Sequence, residues 1–275
     1  MKKSIFKLSI AALALGLSLG AQAHRAWIVP AATVLSGESP WVTFDAAVSN
    51  TIFHADHAPF RLDSVVAIAP DASEIELQNA HTGKHRSTFD LNLKQSGTYK
   101  VVSASNGLTA RWETEEGERR SWPPRGTAPT PEGFEKEVPK KAKNLKVTQS
   151  SRRIETFVTA GEPDNNVFKP TNTGLEMVPV THPNDLFAGE EAEFTLLIDG
   201  KPAEGAKVVV LPGAMRYRNQ QDAIEAVSDN KGKITITWPA AGMYWMSVSY
   251  ADEKAKKPAT QRSGSYTATF EVLPE

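Results

Sequence analysis

The residues of this chain best suited to chemistry are its six histidines: His24, His54, His57, His81, His85 and His182. Four of them, from His54 to His85, fall within a 32-residue stretch. Not one of the 275 residues is cysteine, which excludes disulfides, thiolate metal sites and cysteine nucleophiles together. Imidazole and carboxylate are then the strong metal ligands that remain, and that donor set suits Ni, Co, Cu, Zn or Fe. The expected site draws on His24, His54, Asp56 and His57 and holds one divalent transition-metal ion.

Each of these residues also has a plainer reading. His24 follows Ala21-Gln22-Ala23, the small-x-small pattern that signal peptidase cuts. Cleavage there frees an α-amine beside the imidazole of the same residue, and the two can chelate a metal, as in the histidine brace of copper oxygenases and carriers. That amine titrates near pH 8 and is partly available at neutral pH. The alternative is a solvated residue at a processed end.

In a straight strand His54 and His57 face opposite sides, so they share an ion only if His54-Ala55-Asp56-His57 is a turn or bulge. Pro59 argues that a strand ends nearby. Asp56 is then either a ligand or an acceptor that fixes a histidine tautomer; the competing reading is a polar loop at a sandwich edge. His81 and His85 flank Thr82-Gly83-Lys84. A three-residue hairpin loop makes them a facing pair with Cβ atoms about 5 Å apart. A two-residue loop puts them on opposite faces, and a solvated tip is the third option. His182, before Pro183, suits a turn hydrogen bond or a place at a domain junction.

Catalytic patterns are missing. The sequence has no Gly-x-Ser-x-Gly elbow, Gly-rich phosphate loop, His-Glu-x-x-His or dinucleotide fingerprint. Trp41, Trp238 and Trp245 lie on alternating strands and are expected in the core, as are Met243 and Met246. The reading is therefore non-enzymatic.

Destination and charge narrow the setting. Lys2, Lys3 and Lys7 precede an apolar run, Leu8 to Leu19, of 12 residues. A bilayer span needs about 20. Residues 1–23 are therefore expected to be a cleavable signal peptide, with a periplasmic destination and no membrane anchor. Without Lys2, Lys3 and Lys7 the 31 basic residues become 28 against 32 acidic ones, a net charge of −4. That balance argues against nucleic acid and against an anionic membrane surface as partners.

The elements expected to position the histidines are short strands separated by turn formers. Trp41 to Val48, Ser64 to Ile68, Ser87 to Leu93 and Gly97 to Val102 are β-prone runs divided at Ala69-Pro70-Asp71, Thr82-Gly83 and Ser96-Gly97. The spacing predicts an all-β protein of two antiparallel β-sandwich domains. The first covers 24–160, with a loop excursion at 113–144 that carries four prolines between Trp122 and Pro131 and room for a short helix. A linker is expected at 161–174, and a second sandwich at 175–275.

The order Gly-Lys-Pro-Ala-x-Gly-Ala-x-Val, Asp-x-x-Gly and Pro-x-x-Gly-x-Tyr, from Gly200 to Tyr244, resembles transthyretin-like and carboxypeptidase-regulatory Greek-key modules. That resemblance implies the fold of the second domain. Across nearly the whole mature chain a second pattern holds: His24-Arg25-x-Trp27, Trp41 to Asn50, Asp56-His57 and Arg61-Leu62-Asp63. It continues with Glu155 to Thr159, Thr181 to Asp185 and Gly242 to Trp245. These resemble the domain-of-unknown-function family numbered 4198, which is similar to periplasmic components of nickel or cobalt uptake systems. His54, His81 and His85 lie outside that pattern.

Together these readings predict a periplasmic protein that binds a transition-metal ion and assists its uptake or delivery, with a membrane transporter or outer-membrane receptor complex as partner. The competitors are a non-enzymatic scaffold of an envelope complex and a copper-dependent oxidative enzyme built on a brace at His24.

Overall fold

Apolar–polar alternation sets the strands. Ser87–Asn92 buries Ser87, Phe89 and Leu91 and turns its other side chains outward; Glu191–Ile198 buries Ala192, Phe194, Leu196 and Ile198 in the same way. The computed structural model describes residues 24–124 and 126–275, and the expected signal peptide at 1–23 lies outside the described residues.

Three sheets form. Arg25–Pro30, Trp41–Ser49, Ser87–Asn92 and Gln78–Thr82 lie side by side in that order. Leu175–Pro179, Glu191–Ile198 and Lys233–Thr237 build a second sheet, with Lys233–Thr237 on Glu191–Ile198. A ten-stranded sheet runs from Ile224–Val227 through Lys207–Pro212, Gly242–Asp252 and Gln261–Val272. It continues into Lys143–Ala160, Gly97–Glu113 and Val65–Ile68.

Pairing is mostly antiparallel. The exceptions are Lys143–Ala160 against Gln261–Val272, parallel from Thr148↔Gln261 to Thr156↔Thr269, and a short contact with Val34–Leu35. The antiparallel pattern gives way at this junction because the two strands are more than a hundred residues apart in sequence, so no hairpin dictates their direction.

The Lys143–Ala160 strand separates two cores. Ile154, Val158 and Ala160 point to one side and pack with Phe44, Phe89, Tyr99 and Val101. Phe157 points to the other and packs with Phe194, Trp238, Tyr266 and Phe270. Around the second core the chain crosses repeatedly between the two sheets, from 191–198 to 207–212 and from 224–227 to 233–237, which is Greek-key topology. The stretch 161–174 packs into this core through Val167 and Phe168, and Lys100 Nζ donates to Val167 O at 2.7 Å. The ten-stranded sheet therefore continues across the boundary expected between the domains.

The excursion forms a small core of its own. Pro131–Glu137 is helical, with Pro131 in its first turn and Thr130 Oγ1 accepting from Gly133 N at 3.1 Å. Phe134 and Val138 pack with Trp122 and Val147. Trp238 and Trp245 are buried as expected, but Trp41 is 55% exposed. Val42, Phe44 and Ala46 take the inward positions of its strand, which leaves Trp41 on the outside.

Candidate functional site

The first strand anchors the site. Ala26 and Ile28 face the first core, whereas Trp27 turns the other way and packs with Ala47, Ile52, Leu211 and Trp245. Trp27 Nε1 donates to Ser49 Oγ at 2.7 Å, and Ser49 Oγ donates to Thr51 O at 2.6 Å. Trp245 Nε1 donates to Ala26 O at 3.0 Å, tying the strand to the C-terminal half. The 50–57 turn rests on this platform. Ile52 is buried, and Phe53 meets Trp27 edge-on at 5.8 Å with φ +57. His54 N bonds back to Thr51 O at 3.3 Å. The segment is a turn and not a straight strand, which was the condition for bringing its two histidines to one surface.

Asp56 fastens the turn. Its Oδ1 accepts from Asn50 N at 2.8 Å and from Asn50 Nδ2 at 3.4 Å. That makes Asp56 an acceptor for backbone, and among the described residues its carboxylate hydrogen-bonds neither His24 nor His57. His57 instead stacks on His24, with ring centroids 3.7 Å apart and planes 8° from parallel. Imidazole lone pairs lie in the ring planes, so two parallel stacked rings do not aim at one ion.

The hairpin tip joins the same surface. It closes at Thr82↔Ser87, with Gly83 N donating to Arg86 O at 2.9 Å. The loop is thus 83–86, neither of the lengths expected from sequence, and His81 sits on the strand opposite Thr88. His85 Nδ1 lies 3.2 Å from His57 O. A carbonyl only accepts, so Nδ1 is the donor in this pair. Phe53, His54 and Ala55 form one wall of a cleft, and His81, Lys84, His85 and Arg86 line the rest.

Five of the six histidines therefore share one end of the molecule. The exception is His182, whose Nδ1 accepts from Asn184 N at 3.1 Å while Nε2 lies 3.2 Å from Asp164 O and 3.0 Å from Thr98 Oγ1. It makes the turn bond and also sits where the two halves meet. Burial holds its pKa below the usual imidazole value, with Asp164 and Asp185 opposing that shift.

The donor chemistry fits a borderline transition metal, but no closed cage is present. Among the described residues no three His, Asp or Glu side chains are arranged to hold one ion. Sequence reasoning missed Arg216, whose guanidinium reaches His54 Nε2 at 2.8 Å across 162 positions. A contact of that range leaves no local pattern to find. It also missed a buried polar cluster. Arg153 bonds Glu155 Oε1 at 3.1 Å, Tyr266 donates to Glu155 Oε2 at 2.9 Å, and Arg153 lies 3.7 Å from Glu176. Desolvation and Glu155 push the Tyr266 hydroxyl well above its ordinary range.

A family model described as a domain of unknown function, DUF4198, matches residues 21–252. No curated protein matches the chain. Among solved structures the chain is similar to a DUF3823 family protein from Bacteroides uniformis, at 9% identity over 91% of this chain and 100% of that one, TM-score 0.26. It is similar as well to the D0-D1 domain of intimin, at 10% identity over 90% and 97%, TM-score 0.23. Likeness at that level does not bear on function.

Proposed function

The chain belongs to the DUF4198 family, a domain of unknown function, and from that premise we propose that it captures a divalent transition-metal ion in the periplasm and hands it on. One observation carries this reading: His24, His54, His57, His81 and His85, spread over 62 residues of sequence, meet at one end of the fold. Imidazole is the commonest metal ligand among side chains, and a cysteine-free protein has no softer one beyond methionine thioether. An exposed site that offers one or two imidazoles per ion leaves most coordination positions to water or to a carrier ligand. Such a site exchanges its cargo readily, which suits delivery better than storage. The receiving partner would be a membrane transporter or an outer-membrane receptor complex.

The ion is Ni, Co, Cu, Zn or Fe, and cleavage ahead of His24 would add an amine donor to its imidazole. Titrating nickel, copper and zinc into the processed protein tests the reading. Binding at micromolar concentrations that weakens in His57→Ala or His54→Ala supports it. If none of the three metals binds, the metal role fails.

A scaffold role is the second reading, favoured by the outer face of the ten-stranded sheet. Ser105, Arg152, Ser265 and Ser249 are successive neighbours across four strands, and all four are exposed. Copper-dependent oxidation is the third, and copper-loaded protein that turns over no reductant would remove it.

A further inference from the structure

The cleft between the 51–57 turn and the 83–86 hairpin tip is lined by cations and imidazoles and by no carboxylate. His54, His81, His85, Lys84 and Arg86 line it, and Arg216, from the Met215–Tyr217 turn, bonds His54 at its edge. Asp45 lies 3.2 Å from Arg86 and offsets that charge. Asp56 is turned away onto Asn50. Among the described residues Lys84 and Arg216 have no acidic partner. A bare divalent cation entering the cleft would meet two uncompensated positive charges and no anionic ligand, which repels it.

Arg216 also occupies the nitrogen that a metal would need. A guanidinium only donates, so at 2.8 Å His54 Nε2 is the acceptor, its lone pair engaged and its proton on Nδ1. A carboxylate is a stronger partner for guanidinium than an imidazole nitrogen. A ligand that brings carboxylates into the cleft therefore draws Arg216 away and uncovers Nε2.

We propose that this cleft takes its metal as an anionic carboxylate chelate and not as the aqua ion. The proposal rests on the metal-handling reading above and names the form of the cargo. Carboxylate oxygens of the chelator pair with Arg216 and Lys84, and His54 Nε2 replaces one water on the chelated metal. His85, whose Nδ1 is held by His57 O, lines the same cleft and is the second imidazole at hand.

Isothermal titration of the processed full-length protein with nickel chloride, the one-to-one nickel–citrate complex and citrate alone tests this. Nickel–citrate should bind about tenfold or more tightly than nickel chloride, since the charge-assisted pairs form only with the chelate. Arg216→Ala and Lys84→Ala, both exposed, should each erase that preference, lowering nickel–citrate affinity and raising that for nickel chloride, and Arg216→Lys should restore part of it. Equal or tighter binding of nickel chloride overturns the chelate proposal and leaves the metal reading standing. Citrate alone binding as tightly as nickel–citrate also overturns it, by making the cleft an anion site. If neither nickel form binds, the chelate proposal is overturned, while the metal reading stands or falls on its own copper and zinc titrations.

Discussion

The imidazoles of His24 and His57 lie face to face, 3.7 Å between centroids and 8° from parallel. Zn–N bonds are about 2.0–2.1 Å and lie in the ring plane, so one ion cannot satisfy both rings in this pose. The two residues should therefore act separately. If His24 binds through its amine and ring, one extra residue ahead of it should abolish copper binding although the imidazole remains. His57→Ala should then weaken binding far less. If the extended protein binds normally and His57→Ala does not bind, the site is an ordinary side-chain site and the brace is wrong. N-terminal sequencing of the protein recovered from the periplasmic fraction, which under the proposed export should begin at His24, must come first.

Asp56 acts on the site through backbone. Its carboxylate takes the Asn50 N–H at 2.8 Å and so holds the turn that presents His54 and His57. Asp56→Ala should cost about 1 kcal/mol of stability, as loss of a comparable cap does, and weaken metal binding without abolishing it. Asp56→Asn keeps an acceptor oxygen and should lie between. Abolished binding in Asp56→Asn with unchanged stability would make Asp56 a direct ligand.

The β architecture is legible because alternation is local: Ser87–Asn92 and Glu191–Ile198 declare their buried faces residue by residue. The parallel junction of Lys143–Ala160 with Gln261–Val272 is not, because nothing in either strand encodes a partner more than a hundred residues away. The same holds at the site. His54 and His57 are close in sequence and were natural candidates. The four-residue tip that sets His85 against His57 depends on the register of Thr82 with Ser87. Arg216 arrives from the far half of the chain. Trp41 shows the converse, a large apolar residue left outside because its neighbours own the inward positions.

His182 should make stability fall in mild acid. Its ring is neutral with both nitrogens engaged, by Asn184 N and by Asp164 O, and burial lowers its pKa below the unfolded value of 6.5. Between the lowered folded value and about 6.5 the unfolded chain binds more protons, so stability rises with pH across that window and is lost as pH falls through it. The melting temperature should drop from about pH 7 to about pH 5. His182→Gln, which can still donate and accept, should flatten that slope. Equal slopes in the two proteins would remove His182 as the cause.

Arg153 is the residue whose loss should unfold the protein most readily. Its guanidinium lies buried between Glu155, at 3.1 Å, and Glu176, at 3.7 Å, and it also donates to Thr171 Oγ1 at 3.1 Å. Glu176 in turn receives Thr171 N at 2.7 Å and Thr173 N at 2.8 Å, which docks the 161–174 stretch onto the second core. Two carboxylates share one cation here, and backbone amides with the Tyr266 hydroxyl satisfy the remaining oxygens. Arg153→Met removes the cation and strands both charges, so the cost should be about 3–5 kcal/mol, the range for breaking one half of a buried pair. Tyr266→Phe removes a single donor and should cost about 1–3 kcal/mol. Urea unfolding of the three proteins at neutral pH measures both. The triple variant Arg153→Met, Glu155→Gln, Glu176→Gln should recover part of the Arg153→Met loss, because the stranded charges are gone. Should the triple variant be less stable than Arg153→Met alone, the penalty is lost packing of the guanidinium and not uncompensated charge.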